Sequence, residues 1–290
     1  MNYNKEALAR SLHTKWAGQA IHFYEKIDST NAEAGRLGKE ASHGTLIVAD
    51  QQTAGRGRRG RVWVSPAGAN IYFSLLLKPE LSAEKASMLT LVMALAVWKG
   101  VETYIKDRRE RSWSDGLLPE NTAHTEPRTE VLQLGIKWPN DIVIGGKKLC
   151  GILTEAKMSG SCLEHVVIGV GINVGKQEFA EELVDKATSL EQECGYTPDK
   201  ATLIACIMEH FEGYYEQFLK EGNLAGIMMQ YNDCLLNRDK QVRVLDPQGE
   251  FIGVARGINE TGELLVECAD GSVTAVYAGE VSVRGIYGYV

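Results

Sequence analysis

The stretch Gln51–Trp63 concentrates residue types that bind anions. Three glycines and four arginines occur between Gly55 and Arg61. Glycine lets the backbone approach a ligand closely, and guanidinium groups form paired hydrogen bonds with phosphate or carboxylate. The apolar runs at residues 44–49 and 69–77 predict a strand on each side. The stretch is therefore a strand-to-strand loop suited to an anionic ligand. The simpler alternative is a solvated basic hairpin tip or a small nucleic-acid patch.

Four further motifs place polar or small residues beside predicted strands. A capping box that starts at Thr30 predicts a helix, and capping could be the whole role of these hydroxyls. Lys148 follows a Gly-Gly hairpin turn, where a solvated edge lysine is the alternative. Gly169-x-Gly171 has a strand on both sides, which excludes a dinucleotide fingerprint and favours close packing against a ligand or a facing strand. The four motifs are Asp28–Asn31, Lys137–Asp141, Lys148–Leu153 and Gly169–Asn173.

The five motifs occur in one order across residues 28–173, and in this order they resemble the biotin–protein ligase family. The resemblance rests on Ser-Thr-Asn, GRGRRGR before an aromatic residue, KWPND, K-L-x-G-I-L and GxGIN. It implies an ATP-dependent ligase that activates biotin as biotinyl-5′-AMP and transfers it to a lysine of a biotin carboxyl carrier protein. The first step joins two anions, so it requires cations and N–H donors where negative charge develops.

The resemblance also implies a role for individual residues. Lys148 would contact the biotin carboxylate and the α-phosphate, Arg58 would hold both ligands, and Asp141 would orient or deprotonate the acceptor lysine. Asn140 would lie by the phosphates with Mg²⁺, and Trp63 would cover the adenine. The other biotin-binding candidates are Ser29, Thr30, Asn31, Gln52, Gly55, Arg56, Gly151, Leu153 and Gly169. The other ATP-binding candidates are Arg59, Arg61, Lys137, Asn173 and Arg284.

Composition narrows the class of protein. No set of Asp, Glu or His has the spacing of a protein metal site, so Mg²⁺ is expected to arrive with ATP. The six cysteines form no C-x-x-C pair, which favours a reducing, cytoplasmic compartment. The formal charge of −7, from 31 basic and 38 acidic residues, argues against general polyanion binding. The sequence shows neither an apolar leader nor an apolar run long enough for a membrane span.

The predicted fold class is α+β. It combines a central mixed sheet that has helices on one side, as in class II synthetase-like biotin ligases, with a small C-terminal SH3-like β-barrel. Residues 1–236 would form the catalytic biotin- and ATP-binding domain and residues 237–290 the barrel. Helical periodicity predicts helices over residues 84–105 and 201–219. Residues 107–130 break that pattern and are expected to form a polar insertion without regular structure.

Three alternatives to a biotin ligase remain at this point. A lipoate or octanoate–protein ligase shares the central architecture, but that family lacks a GRGRRGR loop. A biotin-sensing regulator without catalysis would need a DNA-binding domain, for which residues 1–20 leave no room. The third alternative is a nucleotide-binding scaffold. The expected partners are biotin, ATP and the carrier domain of an acyl-CoA carboxylase, without DNA or membrane. Family members pair edge to edge through the central sheet, so a homodimer is an open alternative.

Overall fold

A mixed sheet forms the centre of the protein. The computed structural model describes residues 3–114, 133–246, 249–278 and 282–285. The strands of the larger sheet in these residues are β1 (Ile21–Ile27), β2 (Thr45–Gln52), β3 (Ile71–Leu77), β4 (Gly135–Lys137), β5 (Asp141–Ile144), β6 (Lys147–Ser159) and β7 (Cys162–Ile172). Their order is β1-β2-β3-β7-β6-β5-β4. β1 pairs with β2 in parallel, and the other neighbours are antiparallel, which confirms the predicted mixed sheet.

Helices bury most of the apolar surface on one face of this sheet. The described helices are α1 (Lys5–Ser11), α2 (Thr30–Leu37), α3 (Met88–Ser114), α4 (Leu190–Cys194), α5 (Lys200–Glu221) and α6 (Ala225–Asp233). The main core joins α3 and α5 to the strands through residues such as Leu95, Phe211 and Ile168. α2 packs on the opposite face, where Ala34 meets Ile47 and Val167 in a smaller cluster.

α3 is longer than its apolar periodicity predicts. A 3₁₀ turn over Ala83–Ser87 leads into the helix, which continues to Ser114. The expectation that irregular structure begins at residue 107 is therefore wrong for residues 107–114. Arg, Glu and Asp can continue a helix beyond the sheet that it packs on, because arginine and glutamate are good helix formers and the exposed turns need no apolar stripe. Residues 115–130 of the expected insertion lie outside the described residues.

The apolar part of α3 has the composition of a membrane span. In the described part of the chain, the helical stretch Ala83–Arg111 is the one that is long and apolar enough to cross a membrane, and 72% of its most apolar window is buried inside the fold. Burial in the main core therefore accounts for its apolar character.

The cap of α2 differs from the predicted capping box. Ser29, not Thr30, is the N-cap residue, and its hydroxyl accepts a hydrogen bond from the Ala32 N–H. Glu33 instead accepts hydrogen bonds from the Tyr24 hydroxyl and from Arg36. The helix thus starts with the Thr30 and Asn31 side chains available for contacts other than capping.

A second, antiparallel sheet forms the C-terminal part. Its described strands are β8 (Gln241–Asp246), β9 (Gly249–Ile258), β10 (Leu264–Glu267), β11 (Val273–Val276) and β12 (Ser282–Gly285), in the order β11-β10-β9-β8-β12. They confirm the predicted small β-domain, here called the barrel. Residues 234–236 still bond to Ile136 at the edge of the first sheet, whereas β8 begins at Gln241. The domain boundary at residue 237 remains a prediction.

Candidate active site

A cleft of about 1010 Å³ opens on the face of the large sheet that α2 partly covers. On its floor, Gly151 of β6 pairs with Gly171 of β7, and Leu153 pairs with Gly169. A Cβ atom at Gly171 would lie 2.5 Å from Trp63 Nε1, and one at Gly169 would overlap the Asn31 Oδ1 atom. Glycine is required at both positions because other side chains lie directly on the floor. The Asn31 and Trp63 ends of the floor are two residues apart along β7, roughly 7 Å.

A set of polar side chains surrounds the Asn31 end of the floor. This set, here called the head cluster, consists of Thr30, Asn31, Gln52, Ser74 and Glu155. The Ser74 hydroxyl donates to the Asn31 side-chain oxygen Oδ1 at 2.6 Å and lies 2.8 Å from the Thr30 hydroxyl. Thr30 donates to Gln52 Oε1 through its backbone N–H and its hydroxyl. The Asn31 amide donates to the Glu155 carboxylate at 2.7 Å. These bonds hold several donors and acceptors in fixed positions at one end of the cleft, which suits a compact polar ligand group.

Charged residues gather at the Trp63 end. Lys148 Nζ lies 2.6 Å from the Asp141 carboxylate and 5.4 Å from the centroid of the Trp63 ring. The Trp63 indole nitrogen is buried and has no hydrogen-bond partner within the described residues. A lysine, a carboxylate and an aromatic ring therefore meet above Gly151 and Gly171.

Lys137 adds a second, more deeply buried cation to this end of the cleft. Its side chain is 8% exposed. Burial lowers the pKa of Lys137 to about 8, because the charged form loses hydration. Asp141 opposes the shift, whereas the positive charges of Lys148, Arg284 and Arg61 act with the burial. The burial of Lys137 excludes a solvated surface lysine at this position.

The Gly/Arg loop closes over the same end as a narrow hairpin. Arg56 and Val62 form an antiparallel bridge, and residues 58–60 form a 3₁₀ turn in which Arg59 has a φ of 58°. Arg58 points inward from this turn. It donates to Asn140 Oδ1 at 3.0 Å and to the Ala278 carbonyl of the barrel at 2.6 Å. Burial lowers the pKa of the Arg58 guanidinium, and Asp141 opposes that shift.

The structure brings nearly all the predicted site residues to this one cleft. Those that line it are Ser29, Thr30, Asn31, Gln52, Arg56, Arg58, Arg59, Arg61, Trp63, Lys137, Asn140, Asp141, Lys148, Gly151, Leu153, Gly169, Asn173 and Arg284. Gly55 instead lines a smaller cavity under the loop, and a Cβ atom there would overlap the Trp63 carbonyl oxygen. Gly151 lies against Trp63 and Lys148 rather than in the head cluster.

Several groups that support the residues lining the cleft were missed from the sequence. Ser74 could have been found from the sequence, since it is the one small polar residue in the otherwise largely apolar strand Ile71–Leu77. The structure buries it fully, and a buried hydroxyl needs a hydrogen-bond partner. Glu155 had no such signal, although it accepts from Asn31 and lies 3.4 Å from Arg56. The Ala278 carbonyl is a backbone group, which residue types do not reveal.

Comparisons with known proteins agree with this geometry. The Biotin/lipoate A/B protein ligase family model matches residues 23–173, and the Biotin protein ligase C terminal domain model matches residues 239–284. The Bifunctional ligase/repressor BirA of Bacillus subtilis is 36% identical over 93% of this chain and 76% of its own length. The Biotin–[acetyl-CoA-carboxylase] ligase of Paracoccus denitrificans is 31% identical over 83% of this chain and 91% of its own length.

A solved structure extends the likeness to three dimensions. The biotin protein ligase from Aquifex aeolicus in complex with biotin and ATP has a TM-score of 0.73 and 28% sequence identity, and the match covers 92% of this chain and 99% of that chain. The chain therefore belongs to the biotin protein ligase family. It is an ATP-dependent ligase that attaches biotin to protein. The match of the C-terminal domain to biotin protein ligases favours this activity over lipoate ligation.

Proposed function

We propose that the two ends of the cleft floor divide the reaction between them. The head cluster binds the ureido head of biotin, because its fixed hydroxyl and amide groups can pair with the ring's N–H and C=O groups. The Trp63 end binds ATP, with Arg58, Lys137 and Lys148 on the phosphates. The observation that carries this proposal is the position of Lys148: its Nζ lies over Gly151 at the Trp63 end of the floor, and Leu153 at the Asn31 end is only two residues further along β6.

In the first step, a biotin carboxylate oxygen attacks the α-phosphorus of ATP and the bond to pyrophosphate breaks. Lys148 stabilises the negative charge that develops on the two reacting anions, and Arg58 holds the α-phosphate. Mg²⁺ bound with ATP would neutralise phosphate charge. The side-chain oxygens of Asn140 and Asp141 are ligands that suit this cation, and no group of three or more His, Cys, Asp or Glu residues that could hold a metal occurs in the described ranges.

In the second step, the amine of an acceptor lysine attacks the carbonyl carbon of biotinyl-AMP, forming an amide and releasing AMP. The amine must lose a proton, and Asp141 is positioned to accept it once Lys148 is engaged by the phosphate. The Paracoccus relative is named for acetyl-CoA carboxylase as its target, and the acceptor proposed for this chain is the carrier domain of such a carboxylase. Val62 and Val64, which flank Trp63 at the mouth of the cleft and are 79% and 71% exposed, offer apolar contacts to that domain.

A homodimer would use the β1 edge of the large sheet. The opposite edge strand, β4, already bonds to the chain segment at residues 234–236. β1 lies at the other end of the strand order, so a second copy could extend the sheet there. Sedimentation of the protein with biotin and ATP, at concentrations from nanomolar to micromolar, tests this assembly.

The assignment of Lys148 is tested by pyrophosphate exchange with biotin. Lys148→Ala should lower kcat for adenylation by about a hundredfold or more and change the biotin Kd less, the pattern of a transition-state contact. Lys147→Ala is the matched control, because the Lys147 ammonium donates to the Val184 carbonyl in an exposed position. The role of Lys148 is wrong if its variant stays within a few-fold of the control. Exchange with lipoate in place of biotin should give no signal.

A further inference from the structure

Trp138 joins the nucleotide end of the cleft to the barrel. Its side chain is 2% exposed. The indole N–H donates to the Gly262 carbonyl of the barrel at 3.1 Å, and the backbone N–H donates to the Asn237 side-chain oxygen at 2.9 Å. Asn237 is completely buried. Both bonds are buried, so losing either one leaves an unpaired polar group away from water.

The residues that follow Trp138 carry the nucleotide chemistry. Asn140 donates to the Ile152 carbonyl at 2.9 Å and accepts from Arg58, while Asp141 pairs with Lys148. Arg58 in turn donates to the Ala278 carbonyl. Barrel carbonyls therefore hold the turn at residues 138–141 through Trp138 and the Gly/Arg loop through Arg58. Because Arg58 also donates to Asn140, it links Asn140 to the barrel.

The head cluster is anchored differently. Within the described residues, the hydrogen bonds that the Thr30, Asn31 and Ser74 side chains and the Thr30 N–H make run to Gln52, Leu153, Glu155 and one another. All of these belong to the large sheet or to α2. A small displacement of the barrel would consequently shift the nucleotide end and leave the biotin end in place.

We propose that Trp138 is a positioning residue through which the barrel sets the geometry of the nucleotide end of the site. The proposal rests on the proposed roles of Asn140 and Asp141. Reacting groups must be held to within about half an ångström of their productive positions, and buried supporting contacts supply that precision. The indole–Gly262 bond and the Asn237 contact fix Trp138, and Trp138 fixes the next three residues of the chain. The barrel is thereby part of the adenylation machinery without contributing the reacting groups.

The test compares two tryptophan variants in the full chain. Trp138→Phe removes the indole N–H and keeps most of the ring. Trp98→Phe is the matched control, because the Trp98 indole N–H also donates to a backbone carbonyl, that of Leu134 at 3.1 Å. Trp98 lies in α3 and Leu134 just before β4, so this bond does not involve the barrel. Pyrophosphate exchange gives kcat and the KM for ATP, calorimetry gives the biotin Kd, and melting gives Tm. Trp138→Phe should lower kcat/KM for ATP about tenfold at an unchanged biotin Kd, whereas Trp98→Phe should lower only Tm.

A second variant protects the test against a simple loss of folding. Asn237→Ala removes the other support of Trp138 and should reduce the same kinetic constant, and the double variant should be little worse than either single one. Folded Trp138→Phe protein with ATP kinetics within twofold of the parent overturns the proposal, as does an equal kinetic loss in Trp98→Phe. Asn140→Ala, measured in parallel, separates the two ideas. If that variant is unaffected while Trp138→Phe is impaired, the role of Asn140 is wrong and the barrel acts through Arg58.

Discussion

Replacing Gly169 by alanine should damage biotin binding and spare ATP binding. The new methyl group would overlap Asn31 Oδ1 and lie 2.8 Å from Asn31 Cγ. Carbon atoms in contact are separated by about 3.5 Å or more, so relieving the Cγ contact alone moves the Asn31 side chain by roughly 0.7 Å, and the overlap with Oδ1 requires more. It cannot do so freely, because Ser74 and Glu155 hold it by hydrogen bonds of 2.6 and 2.7 Å.

The size of the effect follows from those bonds. A buried hydrogen bond contributes about 1 kcal/mol, and one to a carboxylate about 1.5–3 kcal/mol. Disturbing both therefore removes about 2.5–4 kcal/mol, divided between the stability of the free protein and the order of the biotin site. A share of about 1.4–2.8 kcal/mol in binding would raise the biotin Kd about 10- to 100-fold. The Trp63 end lies two residues away on β7, so the ATP Kd should change less than about threefold.

The assay is calorimetric titration of biotin and, separately, of an ATP analogue, with a thermal melt of each variant. Gly213→Ala is the control, because a Cβ at this position in α5 would meet no atom within 4 Å other than the adjoining backbone of its own helix. The control should keep both dissociation constants and gain up to about 1 kcal/mol of helix stability. A folded Gly169→Ala protein that binds biotin within threefold of the parent would refute the assignment of the head cluster. A larger loss for ATP than for biotin would reverse the two ends of the floor.

Four other outcomes are expected. Gly171→Ala should displace the Trp63 ring, whose Cε2 atom would lie 2.6 Å from the new methyl group, and raise the KM for ATP about tenfold at an unchanged biotin Kd. Glu212→Gln should destabilise the fold by about 2 kcal/mol at pH 7, measured by urea melts. Burial raises the pKa of the Glu212 carboxyl, but hydrogen bonds from three backbone N–H groups outweigh the burial and lower that pKa overall. The stabilisation is therefore present above about pH 4.3, the ordinary pKa of glutamate, and is lost as pH falls through the lower pKa of the folded state. Because the pKa of Lys137 is about 8, kcat/KM for ATP should fall as pH rises through 8, and Lys137→Arg should remove that limb; a flat profile to pH 9.5 would contradict the contact. Arg58→Gly should release biotinyl-AMP about tenfold faster and label lysines of a bystander albumin, whereas an unchanged off-rate would show that retention lies elsewhere.

Local sequence determined most of the elements and most of the candidate site residues. The Gly145-Gly146 turn could be predicted because two successive residues with positive φ form a two-residue hairpin, and both glycines have positive φ, 57° and 79°. The strands of the barrel follow from turn residues at short intervals in the same way. Motif residues were found because their types are unusual where they occur: arginines among glycines, and a lysine at the start of an apolar strand.

Tertiary structure alone decided which of these residues meet and what holds them. Asn31 and Glu155 are far apart in sequence, and only the register of β7 against its neighbours β3 and β6 brings them and Ser74 together over Gly169. The barrel carbonyls of Gly262 and Ala278 leave no mark in the sequence, because every residue type has a backbone carbonyl. The end of α3 also escaped prediction, since helical turns beyond the sheet carry no apolar period. Residue types thus indicated the chemistry, while long-range packing brought the proposed biotin and nucleotide ends side by side.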